Sequence, residues 1–259
     1  MTSPFLTAAL EAANAAAEVI RRYYQRNLAI TIKSDKSPVT QADVETEQVI
    51  RKILSRRFPA HGLYGEETGS EGLDNEYLWL VDPIDGTKAF VREYPMFSTQ
   101  IALMHRGKLI LGVSSAPAFG SGGELAYGEL GVGAWLNERP IRVSDIARIE
   151  DCAISGGNLK TLALSNQWSN YGQLIARAHR IRGYGDFLHY HLLASGKIDV
   201  VIESDVNILD IAALSVIVEA AGGRFTQLDG QPVGLETTTV LASNGRLHSL
   251  VRDALPYHA

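Results

Sequence analysis

Acidic side chains gather around one short segment whose residues could bind a cation and an anion together. Residues 82–87 are Asp-Pro-Ile-Asp-Gly-Thr and follow residues 77–81, an aromatic and β-branched run that predicts a buried strand. Because a proline restricts the turn between them, Asp82 and Asp85 could direct both carboxylates to one side. Hard divalent cations take oxygen ligands, and Mg²⁺ often binds one or two carboxylates together with a substrate phosphate. A plain turn explains the segment equally well, since each of its residues is turn-prone.

The same segment offers an anion site, and further acidic groups lie elsewhere in the chain. Gly86 allows a close backbone approach, and the amides of Gly86 and Thr87 could open a helix and hold a phosphate group. Glu66 and Glu67 lie in a loop, and Asp210 lies at the start of an apolar helix. Taken one at a time, the two glutamates are typical of a solvated surface, and Asp210 is typical of a helix cap. Buried carboxylates are costly to ionise unless they are paired or bind a metal, so the combination favours a metal site.

Hydrophobic periodicity predicts the elements that must position these residues in the first part of the chain. Apolar residues at three- and four-residue spacing predict a helix over residues 7–25. Thr40 can cap a second helix, with Asp43 in its first turn. Strand-like runs lie at residues 99–104, 109–114 and 125–127. Together with the strand at residues 77–81 they predict a meander.

The second part of the chain alternates strands and helices. The predicted elements lie at residues 152–155, 159–179, 186–194, 199–203, 210–221, 224–227 and 238–242, with a last helix from residue 245. The change of pattern near residues 145–151 predicts two sub-domains. Residues 1–148 would carry the metal-binding loops, and residues 149–259 would supply Asp210 and substrate specificity. The expected fold class is α+β, or a layered α/β protein.

The composition excludes several classes of protein. The chain of 259 residues is 46% hydrophobic and 20% charged, which is typical of a soluble globular protein. Its net charge of −5 gives no general attraction to nucleic acid or to an anionic membrane, so neither is an expected partner. The first residues lack the order of a secretory signal, and no apolar run approaches the roughly 20 residues that cross a bilayer. The single cysteine, Cys152, cannot form an internal disulfide, and a cytoplasmic protein is the resulting prediction.

Four segments resemble the inositol monophosphatase superfamily of Mg²⁺-dependent, Li⁺-sensitive phosphatases, in the same order and at the same spacing. They are residues 33–43, 65–67, 79–87, and 210–213 followed by 219–223. One position departs from the family pattern, since Leu209 stands where an aromatic residue usually precedes the last aspartate. The resemblance covers nearly the whole chain. It implies a layered α-β-α-β-α sandwich, a homodimer, and a metal-dependent phosphomonoesterase with a small phosphate ester as substrate.

The resemblance also implies a role for each residue of the site. The metal ligands would be Glu66, Asp82 and the Ile84 carbonyl for one Mg²⁺, and Asp82, Asp85 and Asp210 for a second, with a third and weaker ion near Glu66. Asp43 and Thr87 would orient and deprotonate the attacking water. Glu67 would support its loop. The phosphate would rest on the amides of Gly86 and Thr87.

Residues 182–190, 196–203 and 210–214 resemble the histidinol-phosphate phosphatase branch of this superfamily. Histidinol phosphate carries a primary ammonium and an imidazole, whereas inositol phosphate offers neutral hydroxyls beyond its phosphate. Two carboxylates near the leaving group, Asp186 and Glu203, would favour the cation through charge-assisted hydrogen bonds. The other expected substrate contacts are Asp85, Gly185 and Arg182. Two simpler interpretations stay open, in which Asp186 caps the following helix and Arg182 pairs with an acid.

Other functions are compatible with the same residues. An inositol-1-monophosphatase or a broad sugar-phosphate phosphatase would use the same machinery. Residues 85–90 also match a pattern of 3′-phosphoadenosine 5′-phosphate phosphatases. A non-catalytic regulator on this fold is the alternative of another class. Leu209 favours the regulator, while the complete set of acidic residues and Thr87 opposes it.

Overall fold

The computed structural model describes residues 3–26, 30–32 and 38–257 of the chain. They form five layers in the order helices, sheet, helices, sheet, helices. This is the α-β-α-β-α sandwich that the resemblance implies.

The first layer consists of two helices, α1 (Pro4–Tyr23) and α2 (Gln41–Arg57). Ser3 caps α1, and its hydroxyl accepts a hydrogen bond from the Leu6 amide (3.1 Å). The inward face of α1 is mostly alanine and fully buried, which lets this helix pack closely on α2 and on the large sheet. Thr40 caps α2, as predicted, by accepting a hydrogen bond from the Ala42 amide (3.1 Å).

The second layer is a large sheet, preceded along the chain by a ribbon of β1 (Ile30–Ile32) and β2 (Pro38–Thr40). The sheet contains β3 (Gly62–Gly65), β4 (Gly69–Glu71), β5 (Tyr77–Asp85), β6 (Ser98–His105), β7 (Lys108–Ala116), β8 (Glu124–Glu129), β9 (Gly133–Leu136) and β10 (Arg139–Ile141). Their order is β10-β9-β8-β7-β6-β5-β3-β4. Only β3 and β5 run parallel among these eight, so β5 to β8 form the predicted meander, and β9 and β10 extend it beyond the prediction.

The fourth layer is a smaller sheet built from the second part of the chain. It contains β11 (Ala153–Gly156), β12 (Arg180–Arg182), β13 (Val200–Glu203), β14 (Arg224–Thr226) and β15 (Val240–Ser243), in the order β12-β11-β13-β15-β14. Strand β11 is parallel to both of its neighbours, and the other pairs are antiparallel.

The remaining helices are α3 (Thr87–Val91), α4 (Lys160–Leu164), α5 (Trp168–Arg177), α6 (Asp186–Ala194), α7 (Ile208–Ala220) and α8 (His248–Ala254). Helices α4, α5 and α8 pack on the outer face of the small sheet, while α6 and α7 lie between the two sheets.

Helix α7 is the centre of the molecule, because both sheets bury it. A Cβ on Gly112 of β7 would lie 2.2 Å from the carbonyl oxygen of Ala213, so only glycine allows this approach of helix to sheet. That contact fixes the position of α7 and therefore of its first turn. Among the described residues no helix, α7 included, has the length and apolar character needed to cross a membrane.

Three details differ from what the sequence predicts. Strand β5 continues through residues 82–85, where a turn was expected. The helical pattern over residues 159–179 is divided into α4 and α5, because the Ser165 hydroxyl donates to the Leu162 carbonyl (2.8 Å) and accepts from the Gln167 amide (3.1 Å). Helix α7 begins with Asn207 as its cap, so Asp210 lies inside the first turn rather than at the cap.

Candidate active site

Strand β5 carries two carboxylates at its end. The pairing register with β6 shifts between Asp82 and Asp85, and this irregularity lets both side chains line the same pocket. The Thr99 hydroxyl donates to the Pro83 carbonyl (2.8 Å), and the Ile84 amide donates to the Asp82 carboxylate (3.0 Å). These bonds hold the irregular end of the strand in place.

Helix α7 supplies a third carboxylate. The side-chain oxygen of Asn207 accepts from the Leu209 amide (2.7 Å). The Asn207 amide and its side-chain Nδ2 donate to the two oxygens of Asp210, at 3.0 and 2.8 Å. This capping box orients Asp210 toward the end of β5. One oxygen from each of Asp82, Asp85 and Asp210 lies within 4.8 Å of the others.

Burial and mutual repulsion make this carboxylate cluster hard to ionise. Burial, followed by the charges of Glu66 and Asp85, raises the pKa of Asp82 well above its usual value. Burial and then the charge of Asp210 raise the pKa of Asp85 in the same way. Burial also raises the pKa of Asp210 to about 7, against the hydrogen bonds from Asn207. The cluster therefore fits a hard divalent cation, whose charge would offset the repulsion and whose preferred ligands are oxygens.

The loop that carries Glu66 and Glu67 is held by a buried carboxylate of α2. Glu47 is 0% exposed and accepts hydrogen bonds from the amides of Glu67 (2.7 Å) and Thr68 (3.1 Å), and from the Thr68 hydroxyl. Arg51 pairs with the same carboxylate (3.1 Å). Glu47 thus orders the loop so that Glu66 lines the pocket. The sequence did not identify Glu47, because a glutamate four residues before an arginine is typical of an exposed helix face.

Asp43 and Thr87 lie within hydrogen-bond distance of each other. Asp43 is 1% exposed, and its Oδ2 accepts from the Thr40 amide (2.8 Å) and hydroxyl (2.7 Å). Its Oδ1 lies 3.2 Å from the Thr87 hydroxyl, which is also 3.0 Å from the Ile84 carbonyl oxygen. Burial raises the pKa of Asp43, although hydrogen bonds from Thr40 and Thr87 oppose it. Because Thr87 has one hydroxyl hydrogen, it donates to one of these acceptors at a time.

A pocket of about 390 Å³ lies between Thr87 and the three carboxylates of the cluster. Its lining includes Glu66, Asp82, Ile84, Asp85, Gly86, Thr87, Lys88, Asn158, Asp186, Asn207 and Asp210. Gly86 starts α3 with a φ of +87°, and a Cβ there would lie 2.6 Å from the Met96 carbonyl oxygen. The Ala89 and Phe90 amides donate to the Gly86 carbonyl oxygen (2.8 and 3.1 Å), which closes the first turn of α3. Lys88 is the only basic side chain that lines this pocket in the described part of the chain.

The expected substrate contacts separate into those in the pocket and those outside it. Asp186 lines the pocket, and burial raises its pKa. Gly185, with a φ of +72°, occupies the N-cap position of α6, so the interpretation of Asp186 as the cap is wrong. Arg182 is exposed on the edge strand β12, where its guanidinium donates to the Ile181 carbonyl (2.7 Å), and it is not part of the pocket lining.

Glu203 lies behind the pocket and is 3% exposed. It lines a small cavity of about 30 Å³ that it shares with Asp85, Asp186 and Asp210. Its carboxylate accepts from the Asn158 amide (2.9 Å) and the Tyr190 hydroxyl, and His189 Nε2 lies 3.2 Å away. Burial raises the pKa of Glu203, but these three neighbours outweigh burial and hold the pKa below its usual value. Asn158 is a second site residue that the sequence did not identify, because no motif surrounds it.

Two further parts of the sequence resemblance are Leu209 and residues 33–37. Leu209 is 5% exposed and packs into the core between the sheets, so it fills the position of the usual aromatic residue without exposing an apolar surface. Residues 33–37 lie outside the described residues.

The class of protein is defined by two features. One is the order of five layers, and the other is the group of carboxylates that meet where the large sheet approaches a central helix. The chain belongs to the inositol monophosphatase family, whose sequence profile matches residues 1–258, and this confirms the resemblance. Members of this family are metal-dependent phosphatases, and the cluster of Asp82, Asp85 and Asp210 could hold the metal.

Individual relatives cover nearly the full length of the chain. It is 38% identical over 258 residues to the histidinol-phosphatase of Mycobacterium tuberculosis, a match that covers 98% of this chain and 99% of that protein. It is also 38% identical over 248 residues to the histidinol-phosphatase of Chlorobaculum parvum, covering 95% and 94%. The solved inositol monophosphatase from Anabaena (Nostoc) superposes with a TM-score of 0.82 at 32% identity, covering 97% and 95%.

Proposed function

We propose that this protein is a Mg²⁺-dependent phosphomonoesterase that hydrolyses L-histidinol phosphate to L-histidinol and phosphate. The observation that carries the proposal is the convergence of Asp82, Asp85 and Asp210 within 4.8 Å. The pocket beside them also contains Thr87 and Asp186. Candidate groups for binding a cation, for orienting water and for binding a cationic substrate would therefore line one pocket.

The residues that would hold two or three Mg²⁺ ions are Glu66, Asp82, the Ile84 carbonyl, Asp85 and Asp210. The raised pKa of Asp82 and of Asp210 supports this set, because both carboxylates ionise with difficulty when no cation is near. When bound, Mg²⁺ supplies Lewis acid chemistry that lowers the pKa of water and stabilises charge on the phosphoryl and leaving oxygens. Glu47 and Glu67 would hold the loop of Glu66 in its place.

Asp43 and Thr87 would receive a proton from the attacking water. Since Thr40 occupies Oδ2 of Asp43, Oδ1 is the oxygen that faces Thr87. When Thr87 donates to Oδ1, its own oxygen is free to accept a hydrogen bond from water. Asp43 is almost fully buried, so Thr87 is the member of the pair that touches the water. The amides of Gly86 and Thr87 would hold the phosphate, with Lys88 as the adjacent cation.

The choice of substrate rests on the negative charge around the leaving group. Asp186 lines the pocket and would contact the ammonium of histidinol phosphate. Glu203 would add negative potential from the small cavity behind it. Two relatives that are 38% identical and named histidinol-phosphatase support the same substrate.

A kinetic panel tests this substrate. We expect kcat/KM for histidinol phosphate to exceed that for inositol 1-phosphate and 3′-phosphoadenosine 5′-phosphate by more than about tenfold. Asp186→Asn should raise KM for histidinol phosphate more than KM for inositol 1-phosphate, which serves as the neutral control. A preference below about tenfold would overturn the narrow assignment, and equal KM changes for both esters would contradict the charge argument.

An inositol-1-monophosphatase of broad specificity is the second candidate. The Anabaena inositol monophosphatase, at 32% identity and a TM-score of 0.82, favours it. Comparable kcat/KM for inositol and histidinol phosphates would establish this alternative. A non-catalytic regulator would bind Mg²⁺ but release phosphate from none of these esters.

The proposal includes a cytoplasmic homodimer. Burial raises the pKa of the single cysteine, Cys152, to about 12, so its thiol is unreactive and is not a candidate for a disulfide between subunits. The dimer rests on the family resemblance, and light scattering coupled to gel filtration tests it. A mass of one chain in solution would contradict it.

A further inference from the structure

A row of buried polar side chains leads away from the carboxylate of Asp85. The Ser98 hydroxyl lies 3.5 Å from Oδ2 of Asp85, to which Ser98 is also the paired residue across β5 and β6. Gln100, two residues further along β6, donates from Nε2 to the hydroxyl oxygens of Ser98 (2.7 Å) and Ser114 (3.1 Å). Gln100 is 1% exposed, and both serines that it contacts are buried.

The row continues from β7 to α6 and ends at β8. The Ser114 hydroxyl lies 2.9 Å from Nε2 of His191, and Nδ1 of His191 lies 2.7 Å from the carboxylate of Glu124. His191 is 1% exposed, whereas the Glu124 side chain is 19% exposed. The row therefore connects a proposed metal ligand to an acid at the surface.

When Asp85 and Glu124 are ionised and His191 is neutral, one consistent set of hydrogen-bond directions runs through the row. A carboxylate only accepts, so Nδ1 of His191 must carry the proton that Glu124 receives. Burial lowers the pKa of His191, which favours the neutral ring with Nε2 as an acceptor. The Ser114 hydroxyl must then donate to Nε2, and its oxygen must accept from the amide nitrogen of Gln100. With its amide so oriented, Gln100 also donates to Ser98, whose hydrogen is left for Asp85.

This orientation of Gln100 leaves its side-chain oxygen in an unfavourable environment. Its Oε1 is buried and has no hydrogen-bond partner among the described residues. An unpaired buried acceptor is unfavourable, so packing alone would favour an apolar side chain at this position. The two donated hydrogen bonds are the only polar contacts that the structure gives to the side chain of Gln100 in the described part of the chain.

We propose that Gln100 is a positioning residue for Asp85. Gln100 acts through the Ser98 hydroxyl. Its own orientation is held by Ser114, His191 and Glu124. Ser98 then donates to Oδ2 of Asp85 and holds the carboxylate in one rotamer for a divalent cation. The inference rests on the proposed function, because it takes Asp85 as a metal ligand.

Divalent-ion binding without substrate tests the inference. Calorimetry with Mn²⁺ alone should give an affinity about tenfold weaker for Ser98→Ala and for Gln100→Leu than for the wild type. Ser98→Thr, which keeps the hydroxyl, should restore most of the affinity. Gln100→Leu in the Ser98→Ala background should cause no further loss, because Gln100 acts through Ser98. If Gln100→Leu does not fold, Gln100→Met removes the same donors with a side chain of similar length.

Ser243→Ala is the matched control. Ser243 is a buried serine of the small sheet that contacts a buried histidine, His248 (3.1 Å), far along the chain from the site. The control should lower thermal stability and leave the Mn²⁺ affinity unchanged. A Gln100→Leu variant with wild-type Mn²⁺ affinity, or losses that add in the double variant, would overturn the positioning role. A wild type that binds no Mn²⁺ would instead overturn the proposed function.

Discussion

Asp43 uses its two carboxylate oxygens for different purposes. Oδ2 closes the cap of α2 with Thr40, and Oδ1 faces the Thr87 hydroxyl at 3.2 Å. The capping role was predictable, because Thr40 and Asp43 have the spacing of a helix start. The contact with Thr87 spans 44 residues, so local pattern could not reveal it, and only the family resemblance pointed to it. Glu47 and Asn158 have no such motif, which is why their roles became visible only in the folded chain.

Asp43→Asn tests the proton-accepting role. We expect kcat to fall by at least about 100-fold, because an amide cannot take up a proton, while Mg²⁺ affinity stays close to that of the wild type. Steady-state kinetics at saturating Mg²⁺ and calorimetry measure the two effects. Thr40→Ala is the control for the cap, and it should cost about 1 kcal/mol of stability with a much smaller loss of kcat. A kcat near the wild-type value in Asp43→Asn would contradict the assignment.

At the scale of elements, the site depends on irregular ends rather than on regular helices and strands. Periodicity predicted α1, because its buried face is continuously apolar, whereas α2 was predicted from its cap and buries Asp43, Thr46 and Glu47. Periodicity did not predict that β5 would continue through Asp85, since proline and glycine in residues 82–87 indicate a turn. The strand continues because Thr99 of β6 bonds the Pro83 carbonyl, a contact that exists only once the sheet has formed.

Glu47→Gln tests how α2 supports the loop of Glu66. The glutamine amide would place donors against the amides of Glu67 and Thr68, so we expect a loss of about 1–3 kcal/mol in the free energy of unfolding and a weaker Mg²⁺ affinity. Urea denaturation and calorimetry measure these quantities. Glu45→Gln is the matched control on the same helix, since Glu45 contacts Arg22 and Tyr23 at the surface and should change neither quantity much. The same small effect in both variants would rule out the loop-supporting role.

At the scale of the whole molecule, the site lies where two sheets meet a shared helix. The large sheet supplies Asp82 and Asp85, and α7 carries Asp210 from between the sheets. The layered fold was predictable from the four family segments together with the change of pattern along the chain. The close approach of α7 to the large sheet was not predictable, because it depends on the contact between Gly112 and Ala213, which lie far apart in the sequence. The division into sub-domains at residues 148 and 149 stays a prediction.

The carboxylate cluster should make the stability of the metal-free protein depend on pH. The pKa of Asp210 is raised to about 7 in the folded protein, against about 4 in the unfolded chain. The stability that protonated Asp210 contributes at pH 4 and below is therefore lost as the pH rises from about 4 through 7. Burial lowers the pKa of His248 to about 4, which acts in the opposite sense, since that stability is lost as pH falls from about 6.5 to 4. Comparison of the wild type with Asp210→Asn cancels the contribution of His248.

Urea denaturation of both proteins at pH 4 and pH 8 measures this difference. Relative to the wild type, we expect the free energy of unfolding of Asp210→Asn to rise by about 1–3 kcal/mol between pH 4 and pH 8. Mg²⁺ at pH 8 should restore the stability of the wild type but not that of the variant. A difference that stays constant with pH would show that Asp210 ionises freely and would contradict the electrostatic description of the cluster.

The Mg²⁺ dependence of phosphate release from histidinol phosphate, measured for the wild type and for Asp82→Asn, is the most direct test of the proposed site. The wild type should release no phosphate in the presence of a chelator and should reach a saturating rate as Mg²⁺ is added. Asp82→Asn should remain folded by circular dichroism and release none at any Mg²⁺ concentration. Phosphate release by the wild type in chelator, or by Asp82→Asn at close to the wild-type rate, would contradict the proposal that these carboxylates bind the catalytic metal.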